Sequence, residues 1–355
     1  MSDDIGRHRE QIDAIDRRIV ELLNERAEHA FAIGKLKGDA PSYRPEREVD
    51  VQRRVAAAAN GALSPEALGR IYGEVISACR ALEQDLLVCY LGPEGTFSEM
   101  ALYKHFGRSV KALPCATIDE LFRMAESGSV QYAIAPVENS TEGAIARTLD
   151  LLLTTSLRIC GESVLRVRQN LMAKTEALEQ LTKVYSHPQS LAQCQGWLAQ
   201  HLPSAERLAL TSNAEAARRA AQEEGACAIG PAIAAERYGL NILAAGIEDD
   251  SRNRTRFLVL GAQDTKPTGR DRTSLAMTAA NRPGAVHELI TPFAKNGVSM
   301  TRIESRPART GQWEYYFYVD LEGHQLDSAV AKALAEIRDK APFLKIFGSY
   351  PAADL

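Results

Sequence analysis

Apolar residues at Ile12, Ile15, Ile19 and Leu22, and again at Ile33 and Leu36, fall at three- and four-residue steps. That spacing predicts one long helix with a narrow apolar seam. Carried through the middle, the seam takes in Arg26 and His29. A charge in a seam costs stability unless it is paired, so a lone seam arginine is read first as snorkelling or meeting an acid. Lys37 lies eleven residues beyond Arg26, about 20° round and roughly 16 Å along the same face. Two long cations reaching inward from those points could hold one small anion. Pro41 and Pro45 then break the chain, and Pro45 suits the first position of a second helix, Glu46 to about Ala59, closed by Gly61. Ser64-Pro65 opens a third helix running to about Asp85. Three helices of this kind cannot close a core alone, and an intertwined dimer is the natural completion.

From Leu87 the pattern changes to short apolar runs alternating with helical ones. Strand-like Leu87 to Leu91, Val110 to Pro114 and Tyr132 to Pro136 alternate with helix-like Ile118 to Ser127 and Ala144 to Leu153. The rhythm repeats in Lys183 to Tyr185, Leu191 to His201, Leu208 to Leu210, Ala214 to Glu224, Ala226 to Ile229 and Ala232 to Tyr238. Such alternation predicts a mainly parallel sheet with helices on both faces, here as two α/β lobes around a cleft. Ala262 to Asp271 is polar, holds Pro267 and Gly269, and reads as a linker. Beyond it, strands over Ser274 to Ala279, Ser299 to Ser305, Trp313 to Leu321 and Leu344 to Tyr350 enclose helices over Ala285 to Lys295 and Ser328 to Lys340. That β-α-β-β-α-β order is ferredoxin-like. The expected domains are therefore 1–86, all-α; 87–262, two-lobed α/β; and 272–355, α+β.

At 355 residues, 45% apolar and 25% charged, the chain has room for these cores. Its 42 basic and 46 acidic residues leave a net charge of −4, which argues against nucleic acid or an acidic membrane as partner. The start, Met1-Ser2-Asp3-Asp4, is acidic and no long apolar run follows, so neither a signal peptide nor a bilayer span is expected. Six scattered cysteines without a CxxC pair suit free thiols in the cytosol. The histidines show no metal-ligand spacing and no GxGxxG follows a strand, so no metal or cofactor is expected.

Candidate chemistry gathers at Ser251 to Gly261, SRNRTRFLVLG, where Thr255 lies between Arg254 and Arg256 before a buried strand. Guanidinium forks match carboxylates, so arginines at a strand mouth suit a planar dianion. Three further loops would face the same cleft. Gly92 to Ser98, GPEGTFS, could offer helix-start amides to an anion. Ala135 to Gly143, APVENSTEG, carries Glu138 and Asn139, and Ser186-His187-Pro188-Gln189 is followed by Gln193. Each loop alone is a plausible capping turn, and His187 reads as a loop-packing residue rather than a base.

Residues 5 to 86, with R-x2-I-x2-I-D, L-x2-R, then K and R-E, resemble the small all-helical chorismate mutases. The resemblance implies a site of Arg9 (from a partner subunit), Arg26, Lys37, Arg47 and Glu48. Three positions depart from it: Arg44 stands where Asp is usual, Cys79 for Ser, and Glu83 for Gln. Chorismate rearranges by a concerted step without a nucleophile, so the site need only fix the reactive conformer and stabilise charge on the ether oxygen. Lys37 and a protonated Glu83 would do the latter.

The motifs GPEGTFS, PVENS-x2-G, SHPQ-x3-Q and NRTRF together closely resemble prephenate dehydratase, a family with two lobes like periplasmic binding proteins. The resemblance makes Thr255 the main catalytic group, with Glu138, Asn139, Ser186, Gln193 and Arg256 binding or orienting substrate. Either Thr255 or Glu138 could donate the proton. Asn281 to Val286, NRPGAV, and Glu304-Ser305-Arg306-Pro307 resemble the ACT domain of phenylalanine-regulated enzymes, with Val286 where Leu is usual. That implies an effector site at Gly284, Ala285, Val286, Glu304, Ser305, Arg306 and Pro307, where Gly284 lets backbone approach the amino acid.

These resemblances imply a bifunctional enzyme converting chorismate to prephenate and then to phenylpyruvate, inhibited by L-phenylalanine and acting as a homodimer, with tetramers open. Two alternatives are an arogenate dehydratase and an amino-acid sensor without chemistry.

Overall fold

The structure is a computed structural model that describes residues 2–38, 41–280, 282–308 and 315–353. Trp313 and Glu314 of an expected strand, and Asn281 of the Pro-Gly motif, lie outside the described residues. By contacts the chain forms two compact units.

One unit runs to Leu86 and includes Phe106–Lys111. Its helices are α1 (Ser2–Lys37), α2 (Pro45–Ala57) and α3 (Pro65–Glu83). Pro45 and Pro65 open their helices, and Ser64 Oγ caps α3 by accepting from Ala67 N at 3.2 Å. Helix α3 comes close to α1 at Gly34, where a Cβ would lie 2.9 Å from Glu83 Cβ. The seam residues Ile12, Ile15, Ile19, Leu22, Ile33 and Leu36 are exposed, so α1 shows an apolar stripe that one chain does not cover.

The other unit opens with a sheet lobe: β1 (Leu87–Leu91), α4 (Phe97–Phe106), β2 (Lys111–Cys115), α5 (Ile118–Glu126), β3 (Tyr132–Asn139), β4 (Gly143–Ala144), α6 (Ala146–Thr154) and β5 (Arg158–Arg166). The chain then builds a second lobe from β6 (Asn170–Ala173), β7 (Lys183–Ser186), α7 (Pro188–Gln193), α8 (Gln195–His201), β8 (Glu206–Ala209), α9 (Asn213–Ala220), β9 (Ala226–Gly230), α10 (Ala232–Tyr238) and β10 (Asn241–Ala245). It returns to the first lobe as β11 (Arg254–Gly261), giving sheet orders β2-β1-β3-β11-β5 and β10-β6-β9-β7-β8.

The expected mainly parallel sheet is corrected here. Strands β1 and β3 are parallel, as are β7 with β8 and β9, but β11 runs antiparallel to both β3 and β5, and β6 to both β9 and β10. The cause is the double crossing: a strand returning from the other lobe enters the sheet head-on. The single helix expected over Leu191 to His201 is two, parted at Cys194, whose φ of −117° and ψ of 17° are not helical.

The last third is β12 (Asp271–Thr278), α11 (Ala285–Lys295), β13 (Met300–Pro307), β14 (Tyr315–Glu322), α12 (Ser328–Arg338) and β15 (Phe343–Pro351). Its antiparallel sheet, ordered β13-β14-β12-β15, is ferredoxin-like. Leu275, Met277, Val319 and Leu321 meet Leu289, Phe293, Leu334 and Ile337 of the helices. The other sheet face joins the first lobe: Ala276, Tyr318, Phe347 and Tyr350 share a core with Leu149, Leu152, Ile159 and Leu258. The linker read over 262–271 is held by hydrogen bonds. Thr265 is buried, its hydroxyl bonds Ser349 O and its carbonyl contacts His324 Nε2 at 3.0 Å. Asp271 accepts from Thr268 N at 2.7 Å and Gly269 N at 3.0 Å.

The joint between β15 and β5 is tight enough to test. A Cβ on Gly348 would sit 2.2 Å from Ile159 O, a backbone atom that cannot swing away. Gly348→Ala is expected to cost about 1–3 kcal/mol as overpacking and to lower the melting temperature. Gly61→Ala, with nothing within 4 Å, should not. Equal melting of both variants would show that the joint is loose.

Candidate functional site

Strand β11 pairs with β3 so that Thr255 faces Asn139 and Arg256 faces Glu138. Side chains alternate along a strand, so these two pairs project from opposite faces of the sheet. On the first face, Asn139 Oδ1 accepts from Thr141 N at 3.1 Å, Glu142 N at 3.2 Å and Thr141 Oγ1 at 2.6 Å. Backbone N–H groups only donate, so they fix which end of the amide is oxygen. Asn139 Nδ2 therefore points the other way and donates to Thr255 Oγ1 and Asn253 Oδ1, each at 2.9 Å. The threonine oxygen is an acceptor in this bond. Its hydroxyl hydrogen is left to donate elsewhere.

On the opposite face, Arg256 is taken up by protein. Nε donates to Glu162 at 2.7 Å, Nη1 to Asp320 at 2.5 Å and Nη2 to Tyr350 Oη at 2.8 Å. Glu138 lies 3.9 Å from Arg256 and 3.0 Å from Arg302. Glu162, fully buried, also receives Arg272 at 2.6 Å and Ala353 N at 2.9 Å. Burial opposes the Arg256 charge, but Tyr350, Asp320 and Glu162 outweigh it and keep it protonated. Burial alone would raise the Asp320 carboxyl; the Arg256 charge and the Ser274 hydrogen bond outweigh this and hold it below the usual carboxylate range. The structure thus brings Asn139 to Thr255 and sends Glu138 and Arg256 the other way. Strand alternation is the reason that neighbours in the motif part company.

The lobes are joined where their two crossing segments bond, Val167 N to Asn253 O at 2.9 Å and Ile247 N to Gln169 O at 2.8 Å. In the second lobe Ser186 is fully buried, and its hydroxyl contacts Ile229 O at 2.9 Å and Asn213 Oδ1 at 3.0 Å. Asn213 Oδ1 also accepts from His187 N at 3.1 Å, so Ser186 braces the loop. His187 Nδ1 caps Gln189 N at 3.3 Å. Gln193 Oε1 accepts from Gln169 Nε2 at 3.1 Å. The GPEGTFS loop differs from expectation: the Gly95 amide is spent on buried Glu99, at 2.5 Å, which also pairs with Arg237.

In the helical unit, Lys37 Nζ meets Glu83 at 3.0 Å, and Cys79 lies buried one turn before Glu83. Arg26 and Arg47 line an open hollow with Val51, Arg54 and Tyr72. Arg47 also pairs with Asp50 at 3.1 Å. Glu48 pairs with Arg80, a buried cation that the sequence reading passed over. Burial raises the Glu48 carboxyl despite the opposing pull of Arg80. Arg44 is the α2 N-cap and makes no side-chain cap bond, which an aspartate could have made. Arg9 is on the same helix as Lys37, about 40 Å away at 1.5 Å per residue, so one chain does not bring them together.

Residues 8–84 match chorismate mutase type II, 88–265 prephenate dehydratase and 273–339 the ACT domain. A bifunctional chorismate mutase/prephenate dehydratase of Neisseria gonorrhoeae is 50% identical over 98% of this chain and 97% of its own. The chain belongs to the bifunctional chorismate mutase/prephenate dehydratase family. A relative of the same description from Aquifex aeolicus is 42% identical over 97% of each chain. A solved prephenate dehydratase of Arthrobacter aurescens, in complex with L-Phe, is 33% identical with a TM-score of 0.70, covering 76% of this chain and 91% of its own.

Within the ACT domain, Gly284 caps α11 with φ of 80°, a left-handed conformation suited to glycine. Ala285 is buried and Val286 exposed. Along β13, Arg302, Glu304 and Arg306 face the dehydratase body. Arg302 bonds Glu304 at 2.6 Å and Arg306 lies 3.5 Å from Asp150. Ser305 and Pro307 alternate to the exposed side. Glu162 and Asp320 were not singled out in the sequence. The available signal was a charged residue inside the apolar runs CGESVL and YVDLE.

Asp320→Ala would leave the buried Arg256 short of a partner, a break that costs about 3–5 kcal/mol, so its melting temperature should fall clearly. The folded Asp320 carboxyl is held below its unfolded value of about 3.9. Its contribution is therefore present above that pH and is lost as pH falls through the folded value. Melting followed from pH 7 to pH 2 checks both points; an unchanged melt in the variant would remove Asp320 from the joint.

Proposed function

We propose that the protein performs two consecutive reactions: chorismate to prephenate in the helical unit, and prephenate to phenylpyruvate, carbon dioxide and water between the α/β lobes. The observation that carries the second reaction is the Asn139–Thr255 bond, which leaves the threonine hydroxyl poised as a donor. Loss of the ring carboxylate sends an electron pair into the ring, and the ring expels its hydroxyl. Aromatisation drives the step, so a weak acid suffices as donor. Thr255 fills that role in preference to Glu138, which is turned toward Arg302. Asn139 positions Thr255, while Ser186 and Gln193 shape the opposite wall.

In the mutase, Arg26, Arg47 and Arg9 of a second subunit would hold the carboxylates of chorismate, and Glu48 and Cys79 would line the site. The exposed stripe on α1 and the distance from Arg9 to Lys37 favour an intertwined dimer. Lys37 and Glu83 lie together, where they would meet the ether oxygen. L-Phenylalanine would bind the ACT domain at Gly284 to Val286 and Glu304 to Pro307. An effector acts by preferring one of two states. Arg256, held by Asp320 and next to Thr255, is where a shifted ACT sheet would reach the strand. Free buried cysteines suit a cytosolic enzyme.

Purified protein given chorismate should yield prephenate and then phenylpyruvate; chorismate left untouched would overturn the reading. Glu83 tests the mutase chemistry. A carboxylate cannot donate to the ether oxygen, whereas a carboxylic acid or an amide can. Glu83→Gln, which presents an amide donor beside Lys37, should keep mutase turnover at or above wild type, while Glu83→Ala should lose most of it. Equal turnover in wild type and Glu83→Ala would remove Glu83 from the mutase chemistry.

A further inference from the structure

Beside Thr255 one polar atom is unspent. Asn253 is 2% exposed, and its Nδ2 has no acceptor among the described residues. The rest of the residue is committed. Its N–H donates to Asp250 O at 3.3 Å, and its carbonyl accepts from Val167 N at 2.9 Å. Its Oδ1 accepts from Asn139 Nδ2 at 2.9 Å and Ser140 Oγ at 3.4 Å. Turning the amide round would not help. Asn139 presents a donor because its own oxygen is committed to two backbone N–H groups, so a turned Asn253 would set N–H against N–H. A buried donor left unmade costs about 1–3 kcal/mol. Such an exception calls for a specific reason, a catalytic role among them.

Asn253 and Thr255 are two residues apart at the entry to β11, on one face, and Asn139 Nδ2 bonds both. We infer that Asn253 Nδ2 is a second donor to the oxygen that Thr255 serves, the ring hydroxyl leaving prephenate. This rests on the dehydratase reading of the site. As the C–O bond breaks, its electron pair goes to that oxygen, and the pair from the broken C–CO2 bond completes the aromatic ring. The Thr255 proton moves to the departing oxygen, water leaves, and a solvent proton restores the threonine. Asn253 transfers no proton. It stabilises the negative charge while that charge builds, which is the work of an oxyanion-hole donor. An amide suits this because its N–H does not titrate away.

Asn253→Asp in the full chain tests the point. It keeps an acceptor toward Asn139 and exchanges only the Nδ2 donor for oxygen. The kcat on prephenate should fall about 10²- to 10³-fold at neutral pH. It should recover in part as pH drops and the introduced carboxyl regains a proton to donate. Chorismate turnover of the same sample should match wild type. Should that variant fail to fold, Asn253→Ala, which brings no charge, is read by the same kcat criterion. A folded variant with wild-type kcat, or a loss confined to KM, overturns the inference. A wild-type chain that leaves prephenate untouched sinks the dehydratase reading and this inference with it, whereas wild-type turnover with an undiminished variant sinks this inference alone.

Discussion

The antiparallel pairing of β11 with β3 sets Thr255 opposite Asn139 and Arg256 opposite Glu138. A slip of one residue would exchange the faces of every side chain on the strand. In the observed register the hydroxyl and the two asparagine amides share one face. The guanidinium and carboxylate share the other. A proposed proton donor and a buried charge cluster thus occupy consecutive residues without competing for the same space.

The cluster on the second face does not owe its worth to raw stability. Burying ions costs desolvation energy that their attraction repays only with good geometry. Here Arg256 meets Glu162, Asp320 and Tyr350, and Glu162 meets Arg272 and Ala353 N. Each contact is directional, so the ACT sheet can dock on the first lobe in one way. Close apposition of Gly348 to Ile159 adds a steric condition to the electrostatic one. The ACT domain is therefore built into the dehydratase body, through the residue that follows Thr255.

Much of this was legible in the sequence. The long seam helix, the ferredoxin-like order and the run into β11 all follow from period and turn chemistry. The lone strands β5, β6 and β10 were not, because they have no helix partner in the alternating rhythm and β5 carries Glu162 inside an apolar run. The motif residues were found as a group, but their division between two faces was not, since Glu138 and Asn139 are adjacent in sequence and only pairing reveals where each points. Ser186 was read as a loop residue, whereas it ends β7, and its full burial depends on Asn213 and Ile229, which are distant in the chain. The linker was legible as polar chain between domains, but the partners that Thr265 and Asp271 find there were not.

The dehydratase chemistry proposed above turns on the Thr255 hydroxyl, oriented by Asn139, donating to the leaving group. Prephenate turnover of Thr255→Val and Thr255→Ser in the full chain tests it most directly. Valine keeps the shape without the hydroxyl, and serine keeps the hydroxyl without the methyl. Thr255→Val should lose about 10²- to 10⁴-fold in kcat while Thr255→Ser retains most of it, with chorismate turnover unchanged in both. Equal prephenate turnover by the two variants would contradict it.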